Sequence, residues 1–169
     1  ITLSSEIEGE PSEEKMAIAT ATFITDTGLF IRDLLITGVT DPISATRTTG
    51  ERFVMTSYPK RNVRYPIITV LVNADSSVRL GLRSEEMYIR MPFEIRIWAR
   101  DMKEKDNLTQ STINYLRSTQ LDATTGTVAN ELFGLKIFNT TDVDEIDGDG
   151  SGIAIKSKII SGEYYTFLL

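Results

Sequence analysis

Cysteine and histidine are both absent from the 169 residues. Without cysteine there are no disulfides, no thiolate metal sites and no cysteine nucleophile. Without histidine there is no Ser-His-Asp triad, no imidazole metal cluster and no imidazole acid-base catalysis. Neither G-x-G-x-x-G nor G-x-x-x-x-G-K-[ST] occurs, so phosphate is not cradled by a known glycine loop. No apolar run approaches the roughly 18 residues of a membrane-spanning helix, and the first residues lack the basic-then-apolar pattern of a secretory leader. Basic excess is missing too. Eighteen Lys and Arg against 24 Asp and Glu give a formal charge of −6, which argues against bulk nucleic-acid binding. What remains for catalysis is carboxylate, Lys, Tyr or Ser/Thr chemistry, and adjacent pairs such as Glu85-Glu86 read as a solvated turn. The composition therefore points away from an enzyme and from any cofactor.

What is present is ordinary for a folded domain: 41% hydrophobic and 25% charged residues. A chain of this length is expected to form one domain. Residues 1–15 are acidic and poor in large apolar groups, and read as a flexible tail, with residues 16–169 forming a single α+β domain. The two Asn-x-Thr matches, at Asn107 and Asn139, carry no weight without a secretory context.

The strongest pattern lies at 87–100, where apolar and polar residues alternate without interruption. Ile89, Met91, Phe93, Ile95, Ile97 and Ala99 fall on one side, and Tyr88, Arg90, Pro92, Glu94, Arg96, Trp98 and Arg100 on the other. A period of two specifies a strand with an apolar face and a charged, aromatic face. At about 3.3 Å per residue it would run to roughly 46 Å, far beyond the usual five or six residues. So long a strand is hard to cover in a small domain, so part of it is expected to act as an arm or subunit contact.

Around it the expected order is helix, three strands, helix, then two or three strands. A helix is expected over 12–37, most firmly over 28–37, with Gly38 as its stop signal. Residues 51–57 alternate as a strand. Ile67 to Val72 is apolar on both faces and reads as a central strand, and Val78 to Leu82 adds a short edge strand. Asp106 is positioned to cap a helix through 119 that buries Leu108, Thr112, Ile113, Tyr115 and Leu116. A helical turn at 128–133, a strand at 135–139 and a C-terminal strand or hairpin at 153–169 complete the chain, with Gly162 marking a bulge or bend. The whole is α+β: a mostly antiparallel sheet with two main helices packed on one face and a long β-hairpin or arm.

Three constellations are candidates for function. From Asp147 the acidic stretch 142–152 supplies Asp147, Asp149, Ser151 and Gly152 in EF-hand register, but Lys158 stands where the bidentate Glu belongs. An acidic turn joining two strands is the plainer reading, and no metal ligand is assigned. Tyr58, Lys60, Arg61 and Arg64 form a small cationic and aromatic loop that offers weak, salt-sensitive, passive contact with passing DNA, the plainer reading being a solvated loop or one that pairs with acidic neighbours. Tyr88, Arg90, Glu94, Arg96, Trp98 and Arg100 form the outer face of the long strand. Trp and Arg are the residues interface hot spots favour, so this face is the candidate subunit contact. The alternative is a solvent-facing strand whose charges prevent edge-to-edge aggregation.

Over residues 41–120 the chain resembles the tail-terminator (tail-completion) proteins of long-tailed double-stranded DNA viruses. The resemblance is carried by Tyr65-Pro66-Ile67-Ile68-Thr69-Val70, then Phe93-Glu94-Ile95-Arg96-Ile97-Trp98-Ala99-Arg100, then the helix over 106–119, and covers about half the chain. It implies a non-enzymatic structural protein of the virion, assembled in the host cytoplasm and placed at the junction of tail and neck. Such proteins form a ring, commonly a hexamer, on the head-proximal end of the tail tube. The ring ends tube polymerisation, offers a surface to the neck or connector protein and lets genomic DNA through its lumen without sequence-specific binding; on this resemblance the loop of Tyr58, Lys60, Arg61 and Arg64 is the expected neck or tube contact. No catalytic, cofactor or membrane-contacting residues come with the resemblance. The acidic stretches 1–15 and 142–152 depart from it. A head-completion stopper or tail-tube subunit shares the α+β build, and a small calcium- or ligand-binding module is the alternative from another class.

Overall fold

The computed structural model describes residues 23–57, 63–73, 76–79, 87–121, 134–146 and 154–168. The expected tail at 1–15, the first half of the expected helix and the turn at 128–133 lie outside these residues, as do Tyr58, Lys60, Arg61 and the stretch 147–153. Helix α1 spans Phe23–Gly38 and α2 spans Met102–Leu121. The strands are β1 Val54–Met55, β2 Ile67–Val72, β3 Ser76–Arg79, β4 Met87–Ala99, β5 Leu135–Ile146 and β6 Ala154–Leu168. The sheet runs β1-β2-β4-β6-β5, with β3 also paired to β4. Only β1 against β2 is parallel, so the fold is α+β with a mostly antiparallel sheet.

Strand β4 is the spine, and its whole length is paired within the protomer. On one side β6 matches it from Met87↔Leu168 to Ala99↔Lys156. On the other, β2 takes Phe93 to Trp98 and β3 takes Met87 to Arg90. Two short strands laid end to end thus cover one edge of a long one, and Asn73 bridges the join by donating its N–H to the Pro92 carbonyl, 2.8 Å. The expectation of a protruding arm is corrected here: the strand is long because it has three partners.

The side-chain alternation of β4 sorts as expected. Ile89, Met91, Phe93, Ile95 and Ile97 are buried with Ile68 and Val70 of β2 and Ile160 and Tyr164 of β6. Both helices cover this face, α1 through Phe30, Ile31, Leu34 and Leu35, and α2 through Leu108 and Leu116. Burying one large aliphatic side chain contributes about 1.5–3 kcal/mol, so this layer supplies most of the fold's favourable free energy. Thr112 and Leu116 are fully buried on the same face of α2, with Ile113 and Tyr115 half-buried beside them.

Two glycines are set by close approach. A Cβ on Gly38 would fall 2.0 Å from the Tyr115 ring, so the residue that ends α1 also seats an aromatic of α2. At Gly162 a Cβ would meet the Phe93 ring at 2.4 Å and the Lys136 carbonyl at 2.6 Å. The bulge expected at Gly162 lies instead in its partner strand, where the register jumps between Ile137 and Asn139. Phe93 lies across the gap left by the missing side chain.

Helix α2 begins earlier than expected. The Asp101 carboxylate accepts the Glu104 N–H at 2.8 Å, the bond of an N-cap, whereas Asp106 lies inside the helix. Strand β5 is also longer than expected: Asp142 to Ile146 are strand, not loop. Strand β1 is shorter than the expected 51–57, and β3 starts two residues before the expected edge strand.

Candidate functional site

The face of the sheet opposite the helices is the surface that the sequence singles out. Period-two alternation places Tyr88, Arg90, Glu94 and Arg96 on it, beside Leu71 of β2 and Ile159, Ser161 and Tyr165 of β6. Leu71 is 46% exposed there, the largest apolar exposure in β2. Among the described residues this face mixes charges, hydroxyls and aliphatics.

Several of its side chains are committed within the protomer. Arg90 forms a bidentate pair with Glu163, one bond at 2.9 Å, and that carboxylate holds the guanidinium protonated even more firmly than usual. The Tyr88 and Tyr165 rings stand 5.9 Å apart, tilted at 42°. Arg96 lies over the Trp98 ring with its guanidinium 5.1 Å from the centroid. Arg100 follows β4 and turns to α2, where Glu104 accepts from its side chain at 3.2 Å and from its backbone N–H at 3.0 Å.

Trp98 requires a correction. It is 6% exposed, not displayed on the outer face. The segment leading into β2 folds over this end of the sheet, so Trp98 packs with Ile67, Ile155, Met55, Val63 and Tyr65 in a second, smaller core. Its indole N–H donates to the Thr69 hydroxyl at 3.2 Å. Alternation alone assigns a residue to a face; it does not say which part of that face another segment covers. Substituting Trp98 therefore perturbs the protomer's core as well as any contact surface.

Of the cationic loop, Arg64 is described and Tyr58, Lys60 and Arg61 are not. Arg64 donates to the Thr46 carbonyl at 2.6 Å and lies 3.6 Å from Glu51. The Thr48 N–H, donating at 2.8 Å, is the main reason the Glu51 carboxyl sits below the usual range. Nearby, the buried Arg47 binds Asp41 and the Pro66 carbonyl, donates to the Arg64 carbonyl at 2.9 Å and lies 5.5 Å from the Phe53 ring centroid. Asp41 and Arg47 thereby tie the 41–47 segment to the entry of β2, a link that sequence spacing did not reveal.

A second charged group, also unanticipated, joins α2 to the hairpin. The Lys105 side chain is 1% exposed and pairs with Asp142 of β5. Lys158 of β6 bridges Asp106 at 3.0 Å and Asp142 at 3.5 Å. The Lys105 hydrogen bond holds the Asp142 carboxyl below the ordinary range, while the Asp106 hydrogen bond raises Lys158. Two ammonium groups and two carboxylates thus alternate where the acidic stretch begins. The part of that stretch read for calcium, Asp147 onward, lies outside the described residues, and its first acidic residue is engaged by lysines.

Compared with known proteins, the chain matches no protein-family model and no curated protein sequence.

Proposed function

We propose that this chain is a structural protein of a long-tailed virus, a tail terminator that assembles as a ring, commonly a hexamer, at the head-proximal end of the tail tube. The observation that carries the reading is the β2–β4–α2 unit. The aromatic-proline step Tyr65-Pro66 enters β2, β2 pairs antiparallel with β4, and β4 passes through Arg100 directly into a helix packed back on the sheet. These are the three segments in which the sequence resembles that family, and in the fold they are neighbours, two paired strands with the helix packed on them. A sheet covered by helices on one face and carrying charged, aromatic and aliphatic side chains on the other suits a subunit whose remaining surfaces meet other proteins.

In this role the partners are further copies of the chain, the tail-tube protein and a neck or connector protein, with DNA passing through the lumen. A net charge of −6 suits that passage, since a mildly acidic or mixed wall does not grip phosphate. Arg64 and its loop neighbours are assigned to contact with neck or tube. Tyr88, Arg90, Glu94, Arg96 and Arg100 remain assigned to the assembly surface, with Trp98 moved beneath it.

The test is electron microscopy of the cognate tail-tube protein polymerised with and without the chain. A ring at one end of each tube, and tubes that stop lengthening when more tube subunit is supplied, are the expected results. Tubes that carry no ring and keep growing would overturn the proposal.

A further inference from the structure

We infer that the groove between α1 and β1 receives the acidic segment 1–10 of the same chain, bound through both its aliphatic residues and its glutamates. The inference goes beyond the ring reading and does not depend on it, because it names a contact that the protomer makes with itself.

The groove has a volume of about 570 Å³ and opens to solvent. Ile36, Val39, Phe53 and Val54 give it an apolar wall, and Thr37 and Arg52 also line it. Ile36 is 55% exposed there, the most exposed large aliphatic of α1. Arg52 is exposed and has no ion pair or hydrogen bond among the described residues. The carboxylate on the lining, Asp41, is already held by Arg47. A concave apolar wall with a few polar groups is the usual form of a binding site. This one pairs such a wall with an uncommitted cation, so its ligand must carry aliphatic side chains beside an acid.

Charge argues against other places on the surface. The groove between α2 and residues 40–42, about 440 Å³, is lined by Asp101 and Glu104 with a single cation, Lys103. That lining repels glutamate. On the helix-free face Arg90 is committed to Glu163, and Arg96 to the Trp98 ring.

The segment's chemistry is written in the sequence. Residues 1–15 hold five glutamates against one lysine. Ile1, Leu3 and Ile7 fall on odd positions, and Glu6, Glu8 and Glu10 on even ones. Laid out as an extended chain, such a segment turns aliphatics one way and carboxylates the other. The aliphatics then meet Ile36 and Phe53 while a glutamate meets Arg52. Reach favours the chain's own segment. Ile36 lies about 20 Å along α1 from Phe23, at about 1.5 Å per residue. The chain from Glu8 to Phe23 spans up to about 50 Å when extended. A tethered segment acts at an effective concentration of about a millimolar, which a second copy does not reach in dilute solution.

The absence of cysteine makes the test direct. Ser5 on the segment and the exposed Thr37 of the groove are replaced together, as Ser5→Cys and Thr37→Cys, in the full chain. Ser5→Cys with Asn114→Cys, on the exposed side of α2, is the control. Under mild oxidation in dilute solution the Thr37 pair should close an intramolecular disulfide at least about tenfold faster than the Asn114 pair. Arg52→Glu should slow that closure about tenfold, and adding Glu6→Arg and Glu8→Arg should restore it. The wild type gives a second measurement without touching the groove. A glutamate-specific protease should cut after Glu6 and Glu8 about fivefold more slowly in the wild type than in Arg52→Glu, and about 0.5 M salt should remove the difference. Equal closure at Thr37 and Asn114 overturns the inference, as does closure indifferent to Arg52→Glu. So does cleavage at equal rates in the two chains at low salt. Disulfide-linked dimers in place of closed monomers assign the groove to another copy's segment and overturn it too.

Discussion

Lys105 and Asp142 form one ion pair with unequal surroundings. The ammonium is 1% exposed and the carboxylate 58% exposed. Removing the two partners should therefore have different consequences. Asp142→Ala leaves a buried cation with Asp106, 4.0 Å away, and the weakly accepting Met102 sulfur, 3.5 Å away, among the described residues, and should destabilise the fold by about 2 kcal/mol, below the usual loss for a fully buried pair. Lys105→Met keeps the buried stem and leaves the exposed Asp142 with Lys158, 3.5 Å away, and should be neutral or stabilising. The pH dependence follows from the lowered Asp142 carboxyl. A depressed carboxylate stabilises the folded state fully above its unfolded value, about 4, and that contribution is lost as pH falls through the lower folded value. Thermal melts from pH 7 down to 2 should show a smaller acid-side loss for Lys105→Met than for the wild type. Equal slopes, or equal damage from both substitutions, would contradict this account. None of this was visible in the sequence, because residues 105, 142 and 158 belong to three elements and only the register unites them. Trp98 shows the same blindness: its alternation was legible, but the Tyr65 and Val63 cover was not.

At the scale of elements, the legible parts were those decided by local periodicity. Strand β2 matched its apolar run, and β4 matched its alternation to within one residue. The buried side of α2, Leu108, Thr112 and Leu116, followed from helical spacing. Boundaries set by capping or by partners were harder to read. Asp101 and Asp106 are equally suitable cap residues by type, and the choice falls to Asp101 because Arg100 and Glu104 close the chain back on that position. Asp101→Ala should cost about 1 kcal/mol, measured by denaturant midpoint. Asp106→Ala removes an exposed bridge to Lys158 and should cost at most a few tenths. The reverse ranking would place the helix start at Asp106 after all. The length of β5 escaped the sequence reading because Asn139, Thr140 and Thr141 carry no alternation. They are strand because β6 pairs with them, and the bulge at Phe138 breaks the periodicity that would have announced them.

Over the whole molecule, stability should be graded outward from β4. This strand has partners on both sides along almost its full length, and helices cover its apolar face at Ile95 and Ile97. Its neighbour β6 is paired on two sides over much of its length, whereas β2 meets β1 only at Ile68 and Thr69, β1 is two residues long, and among the described strands β5 pairs with β6. Local opening requires breaking ladder bonds and exposing apolar area, so amides of Ile95, Ile97 and Ile160 should exchange only through global unfolding. Amides of Val54, Met55 and Thr140 should exchange far faster in the protomer. Hydrogen exchange measured at low and high protein concentration should show protection rising around Arg90, Glu94 and Arg96 when copies join through the helix-free face, and protection rising elsewhere instead would move the subunit contact off that face. A uniform profile in the protomer would mean that β4 is not the spine its pairing makes it.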